Sequence, residues 1–256
     1  MKGVILAGGM GTRLAPLTRV INKHLLPVGP YPMIYYPVGT LVDAGIEDLM
    51  VVTGGNNAGM FLELLGSGRE FGLRHVHYAY QDRPGGIADA LKLAEDFVER
   101  ERCIVMLGDN LIAGSIRPYV GKFRQQERGA KILLYRVEDP SDFGVAEIDG
   151  EGRVRRIVEK PKEFVSNYAV IGVYMYDEQV WDILPELHAS DRGELEVTDV
   201  SNAYLQRGQL TADVLDCEWG DCGGSPESLM RAAEIAYRNE PLKQFNIPVG
   251  ENRRGT

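Results

Sequence analysis

Three short apolar runs, each closed by glycine, limit the fold of this 256-residue chain more than any other feature. Residues 4–7 run into Gly8-Gly9, residues 49–53 into Gly54-Gly55, and residues 104–107 into Gly108-Asp109. A continuous apolar run of this length suits a strand buried on both faces, and such strands belong to parallel sheets covered by helices. Between them the apolar residues recur at helical spacing: Ile34, Val38, Leu41 and Val42 over 33–44, then 60–65, then Ile87, Leu91, Ala94 and Phe97 over 87–98. A further strand is expected at 76–80. This alternation predicts an α/β chain with a Rossmann-like, mostly parallel mixed sheet flanked by helices. Such sheets bind ligands at the carboxyl ends of their strands, where the three glycine closures lie.

The second half reads as β-rich. Strands are expected at 132–137, 145–148, 154–158, 170–176 and 210–215, with a hairpin turn at Asp149-Gly150-Glu151-Gly152. Helices are expected at 178–187, 199–206 and 226–237. No repeat or linker-like stretch divides residues 1–237, which are expected to form a single domain. Residues 238–256, with Pro241, Pro248, Gly250 and Gly255, read as an irregular tail.

Composition excludes several functions. The chain is 44% hydrophobic and 25% charged, as a folded core requires. Its net charge of −9 argues against nucleic-acid binding, which needs a basic face. A small polyanionic substrate stays compatible if a few cations reverse the field locally. Cys103, Cys217 and Cys222 are odd in number and contain no C-x-x-C pair, so a reducing compartment is expected. No apolar stretch has the length of a signal peptide or a membrane span. A soluble, cytoplasmic protein with no membrane partner is expected.

The loop after the first strand, Leu6-Ala7-Gly8-Gly9-Met10-Gly11-Thr12-Arg13-Leu14, lets the backbone come close to a ligand and aim N–H groups at phosphate oxygens. It is not a P-loop, because it ends Gly-Thr-Arg. It is not a dinucleotide fingerprint, because Leu14 replaces the third glycine, and Thr53 ends the second strand where such enzymes place an acid. Arg13 and Lys23 flanking the loop suit a triphosphate better than a simple turn. Asp109 and Asp221 each read alone as either a helix N-cap or a metal ligand. Both at strand-to-helix junctions, they read as ligands for Mg²⁺, which takes one or two carboxylates plus substrate phosphates. Lys160, in Val158-Glu159-Lys160-Pro161, is either one half of a surface ion pair or a fixed ammonium that binds phosphate.

These residues resemble a known family. Residues 6–18, Leu-Ala-Gly-Gly-Met-Gly-Thr-Arg-Leu-Ala-Pro-Leu-Thr, resemble the signature of the sugar nucleotidylyltransferases. Lys23-His24-Leu25-Leu26-Pro27-Val28, Pro32-Met33-Ile34-Tyr35-Tyr36-Pro37, Leu107-Gly108-Asp109-Asn110, Phe143-Gly144-Val145 and Glu159-Lys160-Pro161 resemble the glucose-1-phosphate thymidylyltransferases. Ser166-Asn167-Tyr168-Ala169-Val170 and Arg192-Gly193-Glu194-Leu195-Glu196-Val197-Thr198-Asp199 point to that branch more narrowly. The resemblance runs in order from residue 2 to about residue 236 and implies a nucleotide-diphospho-sugar transferase fold. It implies a nucleotide-binding part over 1–130 and a sugar-phosphate-binding part over 131–237.

The resemblance also implies roles. Leu6, Ala7, Gly8, Gly9, Gly11, Thr12 and Arg13 would hold the triphosphate, and Lys23 would reach the reacting phosphates. Gln81 and the backbone of Gly86, with Pro84 nearby, would read a pyrimidine edge. Asp109 and Asp221 would bind Mg²⁺. Gly144, Glu159, Lys160, Val170 and Tyr174 would hold glucose 1-phosphate. Arg13, Lys23, Asp109, Lys160 and Asp221 would carry the catalysis. The implied reaction joins dTTP and glucose 1-phosphate into dTDP-glucose, in a homo-oligomer serving deoxysugar or surface polysaccharide synthesis. The rivals are a uridylyltransferase using UTP on the same sugar phosphate and a non-catalytic nucleotide-sugar sensor. A sensor is expected to lose at least one of Arg13, Lys23, Asp109 and Asp221, and all four are present. The chain departs from the family at Gly85, usually Asp, at His24, usually Gln, at Phe143, usually Tyr, and at Cys222 in Trp219-Gly220-Asp221-Cys222-Gly223, usually Thr. A short form without a C-terminal regulatory extension is expected.

Overall fold

The computed structural model describes residues 1–55, 57–190 and 193–243; the rest of the expected tail lies outside the described residues. The strands are β1 (Lys2–Ala7), β2 (Pro27–Val28), β3 (Tyr31–Pro32), β4 (Asp48–Gly54), β5 (His75–Gln81), β6 (Cys103–Leu107), β7 (Asn110–Ile112), β8 (Ala130–Arg136), β9 (Gly144–Ile148), β10 (Val154–Glu159), β11 (Tyr168–Tyr176), β12 (Leu210–Val214) and β13 (Trp219–Asp221). The helices are α1 (Tyr35–Asp43), α2 (Ala58–Leu65), α3 (Ile87–Lys92), α4 (Glu95–Val98), α5 (Arg117–Gln125), α6 (Val180–Ile183), α7 (Val197–Gln206) and α8 (Pro226–Asn239).

One sheet runs through both halves of the chain. Strands β5, β4, β1 and β6 lie side by side and parallel. β11 joins antiparallel to β6, β8 antiparallel to β11, and β12 parallel to β8. Alternate residues of β1 enter opposite cores: Ile5 and Ala7 pack beneath α1 and α5, whereas Val4 and Leu6 pack with Ala88 and Leu91 of α3. Both faces are thus buried, as the uninterrupted apolar runs require.

β1 has β4 on one side and β6 on the other, so chain connections leave it in opposite directions. The crevice between the carboxyl ends of β1 and β6 is therefore a topological switch point, where open α/β sheets bind ligands. Gly108 N–H donates to Leu6 O at 2.9 Å and holds the two strand ends together.

Beyond that crevice β11 changes partner along one edge. Ala169 and Val170 pair with Val145 and Gly144 of β9, and from Val173 onward the same edge pairs with β6. Between the two, Gly172 N–H donates to Asn110 Oδ1 at 3.1 Å. The β9–β10 hairpin hangs on this seam and closes through Asp149, whose N–H donates to Arg153 O.

Three expectations are corrected. The helix expected over 87–98 is two helices, α3 and α4. The helix expected over 178–187 is short α6 followed by a 3-10 turn, Leu184–Glu186, because Pro185 has no N–H to continue the ladder. Asp109 does not precede a helix; it lies in a tight connection between β6 and β7, so its side chain is not a helix cap. Asp221 ends β13, and the following helix α8 is capped by Ser225 and Ser228 in a capping box with Pro226 at its start. No described helix is long and apolar enough to cross a membrane.

Gly172 has no room for a side chain: a Cβ there would stand 2.5 Å from Asn110 Nδ2 and 2.7 Å from Leu107 Cγ. Gly172→Ala is expected to destabilise the fold by about 1–3 kcal/mol through overpacking, read as a lower urea midpoint at unchanged slope.

Candidate active site

The loop leaving β1 is shaped around Lys23. Gly11 has φ 64°, in the left-handed region, and a Cβ there would stand 2.9 Å from both Lys23 Cβ and Thr18 Cγ2. Thr18 Oγ1 donates to Gly11 O at 2.8 Å and pins the turn. The Lys23 stem lies along the loop, its Cε 3.3 Å from where a Cβ of Gly9 would be. Arg13 pairs with Asp142 at 3.7 Å, with both side chains more than half exposed. Such a pair contributes little, so the guanidinium can turn to a stronger anion.

Two carboxylates meet at the base of the crevice because β7 and β13 pair antiparallel, with Asp221 opposite Asn110, next to Asp109. Cys222 N–H donates to Asp109 O at 2.8 Å, and Gly223 N–H donates to Asp221 Oδ1 at 2.9 Å. α8 holds β13 in place, with buried Ala232 against Gly220. Asn110 Oδ1 accepts from Trp219 Nε1 at 2.6 Å as well as from Gly172, and Asn110 Nδ2 donates to Asp109 Oδ1 at 3.2 Å. Lys23 Nζ donates to Asp109 Oδ2 at 2.5 Å.

The electrostatics follow from burial. Burial alone raises the Asp109 carboxyl, but the Lys23 ammonium, by its charge and its hydrogen bond, opposes this, and the carboxyl is brought down to about 2. Burial, reinforced by the Asp109 charge, pushes Asp221 up to about 6. Two hard oxygen donors that repel each other in a buried site fit a divalent cation such as Mg²⁺, whose remaining positions are filled by water and phosphate oxygens. Among the described residues no third His, Cys, Asp or Glu completes a protein-only metal cage.

The opposite wall comes from the hairpin, β11 and α7. Thr198 Oγ1, at the start of α7, donates to Glu159 Oε2 at 2.5 Å. Gly144 of β9 faces the same hydroxyl. Lys160 follows β10 with φ 40°, and its N–H donates to Phe143 O at 2.9 Å. A non-glycine residue in the left-handed region before proline is strained, which is a mark of functional positions. The phenol of Tyr174 is pushed up by burial and by Glu159 and Asp109, so it remains a neutral donor. The segment before α7 also reaches the third region of the cleft: Leu195 N–H donates to Gly85 O at 2.9 Å, and Ala88 N–H donates to Leu195 O at 3.1 Å.

These walls enclose a cleft of about 490 Å³. Leu6, Gly8, Gly9, Gly11, Thr12, Arg13, Lys23, Gln81, Pro84, Gly86, Asp109, Gly144, Glu159, Lys160, Val170, Tyr174 and Asp221 all line it. Ala7 does not: strand alternation turns its side chain into the core on the far face of β1. Sequence reasoning gave no role to Asn110, Asp142, Glu194, Glu196, Thr198 or Trp219, which also line the cleft. Asn110 follows Asp109 directly and was open to notice; Thr198 and Trp219 reach the site only through tertiary pairing.

A family model described as nucleotidyl transferase matches residues 2–238. The chain belongs to the nucleotidyl transferase family. It is 46% identical over 226 residues to the glucose-1-phosphate thymidylyltransferase of Actinoplanes sp., covering 87% of this chain and 74% of that one. A Bacillus anthracis protein assigned as a glucose-1-phosphate thymidylyltransferase and crystallised with sucrose superposes with TM-score 0.88 at 49% identity, covering 98% of each chain. A UDP-glucose pyrophosphorylase bound to UDP-glucose superposes with TM-score 0.81 at 27% identity, covering 93% of this chain and 98% of that one.

In this nucleotidyl transferase His24 sits behind the carboxylates. Its N–H and ring Nδ1 face Asn22 Oδ1 at 3.0 and 2.8 Å, and Asn22 Nδ2 donates to Ala7 O. Burial, then the Lys23 charge, lowers its pKa to about 3, so the ring stays neutral in the fold. The unfolded chain takes up that proton near pH 6.5 and the folded chain does not, so stability falls as pH drops from 6.5 towards 3. His24→Gln removes this penalty. Between pH 6.5 and 4.5 the wild type is expected to lose about 2–3 kcal/mol more unfolding free energy than the variant, as measured by denaturant titration at each pH.

Proposed function

We propose that the protein transfers a thymidylyl group from dTTP to α-D-glucose 1-phosphate, giving dTDP-glucose and pyrophosphate. One observation carries this reading. A glycine loop with Arg13 and Lys23 faces a second wall bearing Glu159 and Lys160, across two half-buried carboxylates in a single cleft. The names of the relatives that align over most of the chain support the choice of substrates.

A phosphate oxygen of glucose 1-phosphate attacks the α-phosphorus of dTTP. The bond from that phosphorus to the bridging oxygen breaks, and pyrophosphate leaves in line. The attacking oxygen is already ionised at neutral pH, so no general base is needed. Catalysis reduces to positioning and charge neutralisation. The loop N–H groups and Arg13 hold the β- and γ-phosphates. Lys23 and Lys160 offset repulsion between two anionic substrates. Glu159, fixed by Thr198, accepts from sugar hydroxyls, and Gly144, Val170 and Tyr174 shape the sugar pocket. Mg²⁺ held by Asp109 and Asp221 would neutralise phosphate charge as the reaction proceeds. Gln81 and the Gly86 backbone read the pyrimidine edge beside Pro84. In this reading residues 1–130 serve the nucleotide and 131–237 the sugar phosphate, within one domain. The setting proposed is the cytoplasm.

The deciding experiment is pyrophosphate release across a panel of nucleoside triphosphates and sugar 1-phosphates. dTTP with glucose 1-phosphate is expected to be the best pair, with UTP accepted less well, since a buried methyl contributes about 1 kcal/mol. Equal or better use of UTP would make the protein a uridylyltransferase.

Asp109→Asn is expected to keep the fold but lower turnover about a hundredfold or more, as loss of one preorganised electrostatic group does. Near-normal turnover at saturating Mg²⁺ would remove Asp109 from the ligand set. Lys160→Ala should raise the KM for glucose 1-phosphate far more than the KM for dTTP, whereas Lys23→Ala should lower kcat. Initial-rate kinetics with each substrate varied in turn check both.

A further inference from the structure

Gln81 ends β5 and lines the cleft, and what it can recognise depends on which end of its amide faces inward. Its Nε2 lies 2.8 Å from Asp89 Oδ2 and 3.3 Å from Gly86 O. Both partners are acceptors only, so only the NH₂ end can face them. The Gly86 contact is long, and that carbonyl already accepts from Ala90 N–H at 3.2 Å within α3. The Asp89 contact is shorter and charge-assisted, and it dominates. Oε1 is left directed towards the phosphate loop, 3.1 Å from where a Cβ of Gly8 would be, and no described group donates to it.

Asp89 does not itself line the cleft. Its carboxylate fills the space beside Gly85: a Cβ at that position would meet Asp89 Oδ2 at 2.4 Å and Asp89 Cγ at 2.7 Å. Gly85 is not among the residues with positive φ, so its backbone does not demand glycine; the neighbouring carboxylate does. Position 85 is one where this chain departs from an acid. The acid next to Gln81 is thus supplied from one turn into α3.

We infer that Asp89 is a positioning residue for base selection: it locks the Gln81 amide so that the cleft presents a hydrogen-bond acceptor, matched to a pyrimidine whose ring nitrogen carries a proton. This rests on the proposed pyrimidine nucleotide at this site. Thymine and uracil present an imide N–H to that oxygen. Cytosine presents a ring-nitrogen lone pair, and acceptor faces acceptor. A freely turning amide would offer its NH₂ to cytosine and lose the distinction. Asp89 therefore excludes cytosine nucleotides, and it has no part in separating thymine from uracil.

The test measures binding of dTTP, UTP and dCTP by calorimetry, and turnover of each with glucose 1-phosphate, in the wild type, Asp89→Ala, and Gly85→Asp combined with Asp89→Ala. In Asp89→Ala the preference for dTTP over dCTP is expected to fall tenfold or more in both Kd and kcat/KM. The dTTP-to-UTP ratio should stay within twofold, and kcat with saturating dTTP should change little. The double variant, which places an acid at position 85 where only the Cβ of residue 89 remains, 3.0 Å from the new Cβ, should recover part of the dTTP-over-dCTP preference. A uniform loss for all three nucleotides with an unchanged ratio would mean Asp89 only supports α3, and would overturn the inference. Equal binding of dTTP and dCTP by the wild type would overturn it too. Wild-type selection of dTTP in binding without any turnover would sink the proposed activity and leave the base lock standing.

Discussion

The buried amide of Asn110 is the joint on which the site depends. Its Oδ1 accepts from the Gly172 N–H and from the Trp219 indole, and its Nδ2 reaches Asp109. Those bonds tie the end of β6 to the point where β11 changes partner and to the start of β13. An amide with acceptor and donor ends both engaged in a closed interior has one orientation and one position. Asp221 can then meet Asp109 only where the β7–β13 register places it. The crevice at the switch point comes from strand order; the arrangement of charges inside it comes from this side chain.

The acidic chain gathers three cations among the carboxylates of one cleft. The net charge is negative, and the cleft wall brings Lys23, Arg13 and Lys160 to a small volume together with Asp109, Asp142, Glu159, Glu194, Glu196 and Asp221. His24, buried in the lining of the cleft, is neutral, so it adds no charge to a region that already holds two carboxylates and an ammonium. The strained backbone at Lys160 fixes one cation, and the packed stem of Lys23 fixes another. Each of the three cations in the cleft thus stands beside carboxylates, and an anion or a cation entering it meets both signs of charge.

The central sheet could be read from the sequence because strands buried on both faces leave an unmistakable apolar run, as at residues 4–7 and 104–107. The glycine loop could be read because its close packing on Lys23 leaves no room for a side chain at Gly11, which also has a positive φ. Asp109 and Asp221 were singled out for a wrong local reason: only one of them precedes a helix, and neither caps one. What joins them is the pairing of two three-residue strands, β7 and β13, too short to show any period. Thr198 and Asn110 went unassigned because a hydroxyl and an amide carry no chemical signature until a partner is known. Gln81 takes its proposed base-reading role from the resemblance alone, and Asp89, which accepts from its amide, lies a turn into the next helix.

Residues 194–198 touch both regions proposed to hold the substrates. Leu195 exchanges backbone hydrogen bonds with Gly85 and Ala88 beside Gln81, the proposed base reader, and three residues later Thr198 grips Glu159 on the proposed sugar wall. The two recognition surfaces are therefore not separate cassettes. A chimera that imports this stretch from an enzyme with another sugar preference would carry over part of that enzyme's nucleotide taste as well. Divergence in such a protein has to move along both choices at once, or be compensated across this single piece of backbone.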